Sequence, residues 1–228
     1  MSIKAFIFDM DGTLVDSEKY WTLAPRKMLE HYGYNLTDEE WNNAPWRAAS
    51  YRVTCKNIVE GDLFDIPLDV QEAAEWIRTY MYTVIYPSDQ YVHFKPGAID
   101  TLEAAKATGL PMCLLSATEP VSLEFTINRL DIKKYFDFYQ STAIGQPINK
   151  NDPHLFEMTA ERMGVKAEEC LVLEDALYAM KSSTQVGCKV WAIYDEKHWR
   201  DVEEIKNISE KYFDNHEQMT KAFKELKA

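Results

Sequence analysis

Long apolar runs are missing from this sequence. Nothing in its 228 residues approaches the roughly 18 uninterrupted apolar positions of a membrane span. The first residues also lack the basic start and extended apolar stretch of a secretory signal, so the expected location is the cytoplasm. Positive charge is in deficit too, with a formal net charge of −12. That balance repels a phosphate backbone, and no basic stripe interrupts it, so nucleic acid is not an expected partner. A small phosphorylated ligand is still admissible, because local donors and a bound cation can reverse the field inside a pocket. Cysteine is scarce. Cys55, Cys113, Cys170 and Cys188 stand far apart, with no CxxC pair and no histidines at zinc spacing, which reads as reduced, buried thiols. Internal repeats and low-complexity segments are absent as well.

What is present is enough apolar material for a real core: 46% of residues are hydrophobic, in a chain long enough for one large domain or two modest ones. Short apolar runs recur and end on polar residues. Ile3 to Phe8 stops at Asp9, Pro111 to Leu115 at Ser116, Cys170 to Leu173 at Glu174-Asp175, and Lys189 to Ile193 near Asp195. Without helical period, such runs read as buried parallel strands. Between them lie helical patterns over Gly97 to Thr108, Pro120 to Leu130, Pro153 to Met163 and Tyr178 to Val186. Alternation of this kind predicts a parallel sheet covered on both faces, with ligands outside the carboxyl ends of the strands.

The stretch from about Ser17 to Tyr91 differs in kind. It shows helical periodicity over Trp21 to Tyr32, Asp38 to Ser50 and Val70 to Ile85, and it carries Trp21, Trp41, Trp46 and Trp76. It reads as a helical unit inserted after the first strand. An insertion at that point would hang over the strand-end site, where a lid could exclude water and choose substrates.

The sharpest local signal is "IFDMDGTLVD", Ile7 to Asp16. Two carboxylates one residue apart repel each other unless a cation or a shared proton separates them. Asp9 and Asp11 could simply close a strand before a glycine turn. Equally, an ionised carboxylate can attack phosphorus and split one displacement into two. Gly12 allows the tight turn, and Thr13 can hold it by a local hydrogen bond. Glu174 and Asp175 could cap the helix that follows them. Brought to one sheet edge with Asp9 and Asp11, they make an all-oxygen site suited to Mg²⁺. Thr118 reads as a helix N-cap, with Glu119 or Pro120 opening the first turn. That leaves Ser116 at the strand end, where its hydroxyl and nearby backbone amides, at Ala117 among others, can donate to phosphate. Lys150 lies just before Asp152-Pro153, a good helix start, and can reach a phosphate as a point charge.

Taken in order, "FDMDGTLVDSE", "LLSATEP", "NKNDPHLF" and "LVLEDALYAM" resemble the four motifs of the haloacid dehalogenase superfamily. More narrowly the chain is similar to the branch with a helical cap after the first motif, which includes β-phosphoglucomutase and phosphoglycolate phosphatase. The resemblance implies a Rossmann-like three-layer α/β/α core with a parallel sheet, residues 1–15 and 92–228, plus an inserted α-helical cap domain, residues 16–91. It implies a Mg²⁺-dependent phosphatase acting on a small phosphorylated metabolite through an aspartyl-phosphate, or alternatively a phosphomutase. A non-enzymatic binding module would need a damaged motif, and none is damaged.

The residue roles implied are these. Asp9 is the nucleophile. Asp11 moves the proton to the leaving oxygen and gives its backbone carbonyl to the metal. Ser116, Ala117 and Lys150 contact phosphate. Asp9, Glu174 and Asp175 supply metal ligands, with Glu174 direct or one shell out. The chain departs from the family pattern at Asn151 and His154, which stand for the usual Pro and Asp, and at Ala176 and Ala179, which stand for Ser and Gly. His154 reads as a structural or capping residue. Mutases of the branch carry a cap histidine where Trp21 stands here, which favours hydrolysis, and the presence of Asp11 disfavours a dehalogenase. Arg47 resembles a cap arginine that grips a second phosphate, and reads equally well as a surface helix arginine. Trp21, Trp46, Arg47 and Tyr51 are the candidate substrate contacts, although aromatics at helical spacing more often serve as core, and a monomer is the expected state.

Overall fold

A computed structural model describes residues 2–46, 51–143 and 146–226. They form two compact units, Met1–Asp16 with Val92–Ala228, and Ser17–Tyr91.

The first unit is built on strands β1 (Ala5–Phe8), β2 (Met112–Ser116), β3 (Phe138–Ser141), β4 (Cys170–Glu174), β5 (Lys189–Ile193) and β6 (Lys211–Phe213). They form one parallel sheet in the order β3-β2-β1-β4-β5-β6. The central strands β1, β2 and β4 are buried at every position. That is why their sequences are continuous apolar runs instead of alternating ones. The two strands that the apolar runs do not announce are the edges. All four residues of β3 are half-buried and polar ones are mixed in, while β6 has three residues.

Successive side chains point to opposite faces of the sheet. Ile7, Leu115, Val172 and Val190 join Phe156, Met180 and Ile205 in one core cluster. On the other face Phe6 and Phe8 meet Phe223, and Trp191 lies 5.0 Å from the same ring. All four cysteines are buried and free. Among the described residues no helix is long and apolar enough to cross a membrane.

Register fixes where the polar residues fall. Phe8 is paired with Leu114 on one side and Leu173 on the other. Asp9, Ser116, Glu174 and Asp175 therefore emerge at the same edge. The strand order reverses direction between β1 and β4, the position where open α/β sheets leave a crevice.

The second unit contains α1 (Glu18–His31), α2 (Asp38–Asn42), α3 (Tyr51–Val59) and α4 (Val70–Tyr80), which continues as a π-helical turn over Met81–Ile85. Capping boxes start α2, with Thr37 and Glu40, and α4, with Asp69 and Glu72. The expected helix from Asp38 onward stops at Asn42, because Pro45 disfavours helical backbone at the residue before it. The expectation for Arg47 falls outside the described residues. Trp21 packs 5.0 Å from Tyr51 and 5.7 Å from Tyr82, and its indole N–H donates to Tyr86 Oη at 3.2 Å. Trp46 packs edge-on to Phe64. Much of the aromatic content thus makes contacts within this unit.

The first unit also holds α5 (Ala98–Lys106), α6 (Pro120–Arg129), α7 (His154–Arg162), α8 (Leu177–Gln185), α9 (Val202–Ile208) and α10 (His216–Glu225).

Candidate active site

Asp9 follows β1 directly, and its side chain is 5% exposed. Lys150, also buried, contacts Asp9 Oδ1 and donates to Glu174 Oε2 at 2.8 Å. One ammonium therefore bridges two carboxylates carried by β1 and the end of β4. Burial first, then the neighbouring Glu174, pushes the Asp9 carboxyl well above the ordinary carboxylate range, with Lys150 pulling against them. Burial alone would lower the Lys150 pKa, but Asp9 and Glu174 together outweigh it and hold the ammonium charged. The remaining oxygen of Glu174, Oε1, accepts from the amides of Asp175 and Ala176 at 3.2 Å each. This fixes the turn into α8.

Asp9, Glu174 and Asp175 each bring a carboxylate oxygen to within 4.8 Å of the others. Formally that is three negative charges against the single positive charge of Lys150, a deficit a divalent cation would cancel. Asp9 Oδ2 is buried with no hydrogen-bond partner among the described residues. A buried carboxylate oxygen left in that state is costly unless something binds it. The donor set is all oxygen, so the residues fit a hard divalent cation.

Asp11 is handled differently. Its Oδ2 accepts from Ser116 Oγ at 2.8 Å and from Thr118 Oγ1 at 2.6 Å. The structure thus brings Asp9, Glu174, Asp175 and Lys150 together, and turns the Asp11 carboxylate toward the hydroxyls at the end of β2. Ser116 also accepts from the Thr118 amide at 3.0 Å, and Ala117 between them is exposed.

Several local expectations need correction. Thr118 does not cap α6. The N-cap is Glu119, without a side-chain bond, and Pro120 opens the helix, because the Thr118 hydroxyl is committed to Asp11. The Thr13 hydroxyl does not close a local turn but crosses to Asp175 Oδ1 at 3.3 Å. Gly12 has φ +83°, and a Cβ there would stand 2.1 Å from Asp175 Oδ2. Glycine is therefore demanded by close approach as well as by the turn. Asp152 accepts from the His154 amide at 2.9 Å, and the exposed His154 ring meets Glu157 at 2.9 Å, away from the acids. The stretch after β5 adds His198, whose Nε2 lies 3.5 Å from Asp175 Oδ2 and which no strand-end pattern announces.

The haloacid dehalogenase-like hydrolase family model matches residues 3–187. The chain belongs to this family.

It is 25% identical over 214 residues to a haloacid dehalogenase-like hydrolase domain-containing protein of Arabidopsis thaliana, covering 82% of this chain and 66% of that one. It is 24% identical over 192 residues to a phosphorylated carbohydrates phosphatase of Thermotoga maritima, covering 81% and 82% of the two chains. It is 28% identical over 185 residues to a fructose-1-phosphate phosphatase of Escherichia coli, covering 79% and 91%. Among solved structures, a candidate beta-phosphoglucomutase of Thermotoga maritima superposes with a TM-score of 0.79 at 22% identity, covering 99% of this chain and 100% of that one. The six-stranded parallel sheet flanked by helices is the fold of this hydrolase family.

Proposed function

We propose that this hydrolase is a Mg²⁺-dependent phosphatase that removes phosphate from a small phosphorylated metabolite, a sugar phosphate or similar phosphomonoester, through an aspartyl-phosphate on Asp9. The observation that carries the reading is the separation of two carboxylates only two residues apart. Asp9 joins Lys150, Glu174 and Asp175, whereas Asp11 is held apart by Ser116 and Thr118. One acid is equipped to attack and the other to move a proton.

In the first step a carboxylate oxygen of Asp9 forms a bond to phosphorus and the bond from phosphorus to the substrate oxygen breaks. Asp11, protonated at that stage, gives its proton to the leaving oxygen. In the second step water attacks the phosphorus of the aspartyl-phosphate, its proton passes to Asp11, and inorganic phosphate departs as Asp9 is regenerated. Lys150, with the backbone at Ala117, stabilises the charge on the phosphoryl oxygens, which is most of what this transfer needs, while the Ser116 hydroxyl holds Asp11. Asp9, Glu174, Asp175 and the Asp11 carbonyl would hold Mg²⁺, which supplies charge neutralisation between the phosphate and the attacking carboxylate.

Sugar phosphates are the substrate class suggested by the names of the Thermotoga maritima and Escherichia coli relatives. Substrate choice we assign to the cap, residues 16–91, which enters the chain just after the Asp11–Thr13 turn, with Trp21 and Arg47 as its contacts. A panel of phosphorylated metabolites with Mg²⁺ tests the reading, run beside β-glucose 1-phosphate with a trace of the 1,6-bisphosphate. Phosphate release from a few sugar phosphates, with no glucose 6-phosphate formed, is expected. Isomerisation with little free phosphate would make the protein a mutase instead.

A further inference from the structure

Two side chains outside the four motifs grip the turn that carries Asp11. His216, the first residue of α10, is 1% exposed, and its Nε2 lies 2.8 Å from the carbonyl oxygen of Thr13. A carbonyl only accepts, so Nε2 carries the ring proton. The other ring nitrogen, Nδ1, is 2.9 Å from Thr101 Oγ1, which lies 2.9 Å from Thr220 Oγ1. In the neutral ring Nδ1 then accepts from Thr101, whose hydroxyl also lies 3.3 Å from the His216 carbonyl oxygen, and the ring is held from both sides. Gly97 completes the seat: it has φ +81°, and a Cβ there would stand 3.1 Å from His216 Cβ.

Lys95 works on the preceding carbonyl. Its ammonium contacts the Gly12 oxygen, donates to the Tyr194 carbonyl at 3.1 Å and pairs with Asp195 Oδ2 at 2.8 Å. Its own amide donates to the Leu14 carbonyl at 2.8 Å. Consecutive carbonyls of one turn are thus held by side chains from two remote segments. That turn lies between Asp11 and Asp175, since Gly12 packs on the Asp175 carboxylate and Thr13 donates to it.

We propose that His216 and Lys95 are positioning residues that lock the Asp11–Gly12–Thr13 turn and thereby set the Asp11 carboxyl and the Asp175 carboxylate together. The catalytic half of this proposal rests on the phosphatase reading above. Neither side chain is assigned contact with substrate. Each acts through a backbone carbonyl, and small displacements of positioned groups cost rate steeply.

The test compares full-length wild type with His216→Leu, His216→Gln and Lys95→Met. It uses steady-state kinetics on whichever phosphomonoester the wild type hydrolyses, and amide hydrogen exchange of residues 10–15. His216→Leu is expected to lower kcat about ten- to a hundredfold with KM within about threefold, and to speed exchange in the turn about tenfold while β4 and β5 are unchanged. His216→Gln keeps an N–H donor and should recover most of kcat. Lys95→Met should reproduce the loss, and it decides alone if His216→Leu does not fold. Unchanged turn exchange in the folded variants would overturn the proposal, as would a kcat loss that glutamine does not restore. A wild type that hydrolyses no phosphomonoester refutes the phosphatase reading, and the exchange measurement then still decides whether the two side chains hold the turn.

Discussion

The Thr118 hydroxyl lies 2.6 Å from Asp11 Oδ2, the oxygen that also accepts from Ser116 at 2.8 Å. Two hydroxyls on one carboxylate oxygen fix its rotation, and they come from the two ends of the short turn after β2. Thr118→Val removes one donor and leaves the other. It is expected to lower kcat about tenfold, the effect of losing one hydrogen bond that orients the proton-transfer group. Thr118→Ser should retain most of the activity. Steady-state kcat for the two variants checks this, and equal rates for valine and serine would show that the hydroxyl has no part in the reaction.

Lys150 is the only cation bonded to both Asp9 and Glu174 among the described residues. Replacing it with methionine leaves two buried carboxylates uncompensated. Breaking a buried pair from one side costs about 3 to 5 kcal/mol. Lys150→Met should therefore lose activity and about that much unfolding free energy, measured by urea denaturation in chelator, with Mg²⁺ restoring part of the stability.

Metal binding should be visible without turnover. If Asp9, Glu174 and Asp175 hold Mg²⁺ in the folded state alone, the ion at about a hundredfold its Kd adds roughly 2.7 kcal/mol of stability. The thermal midpoint of the wild type should rise with Mg²⁺ and fall back with chelator. Asp175→Asn should flatten that response. So should Gly12→Ala, whose methyl would stand 2.1 Å from Asp175 Oδ2.

His216 gives a stability signature in acid. Burial, the largest cause, lowers its pKa from the ordinary 6.5 to about 4, the Thr13 carbonyl opposing and Lys95 adding to the shift. Above pH 6.5 the ring is neutral in both states, and its contribution is fully present. As pH falls from 6.5 toward 4 the unfolded chain takes up a proton that the folded chain refuses, so stability declines across that window by roughly 3 kcal/mol in total. His216→Gln should remove this part of the slope. Unfolding free energies for both proteins at several pH values in the window check the difference.

Much of the first unit could be read from the sequence because its central strands are buried on both faces. Ala5–Phe8, Cys170–Glu174 and Lys189–Ile193 stand out as apolar runs that end in acids or near them. Phe138–Ser141 and Lys211–Phe213 did not stand out, since edge strands are short and partly exposed and carry no such run. The acids of the site were legible because register in a parallel sheet brings strand ends together. Thr118 was not, because a threonine before Pro120 has a simpler local use as a cap. His216 was invisible for a different reason: its partner Thr13 lies 203 residues away, and nothing in the sequence near either residue marks the contact. Trp21 was legible as an aromatic on a helix, whereas the periodic stretch read from Asp38 ends at Ser50, before Tyr51 opens α3, and the packing of the two rings is a property of the folded unit.

The central claim is that Asp9 itself carries the phosphoryl group. It is tested most directly by quenching the enzyme in acid during turnover of a phosphomonoester, reducing with borohydride and sequencing the product by mass spectrometry. An acyl phosphate is reduced to the alcohol, so the account predicts homoserine at position 9 only when substrate and Mg²⁺ are both present. Reduction at another residue, or none in an enzyme that is releasing phosphate, would contradict it.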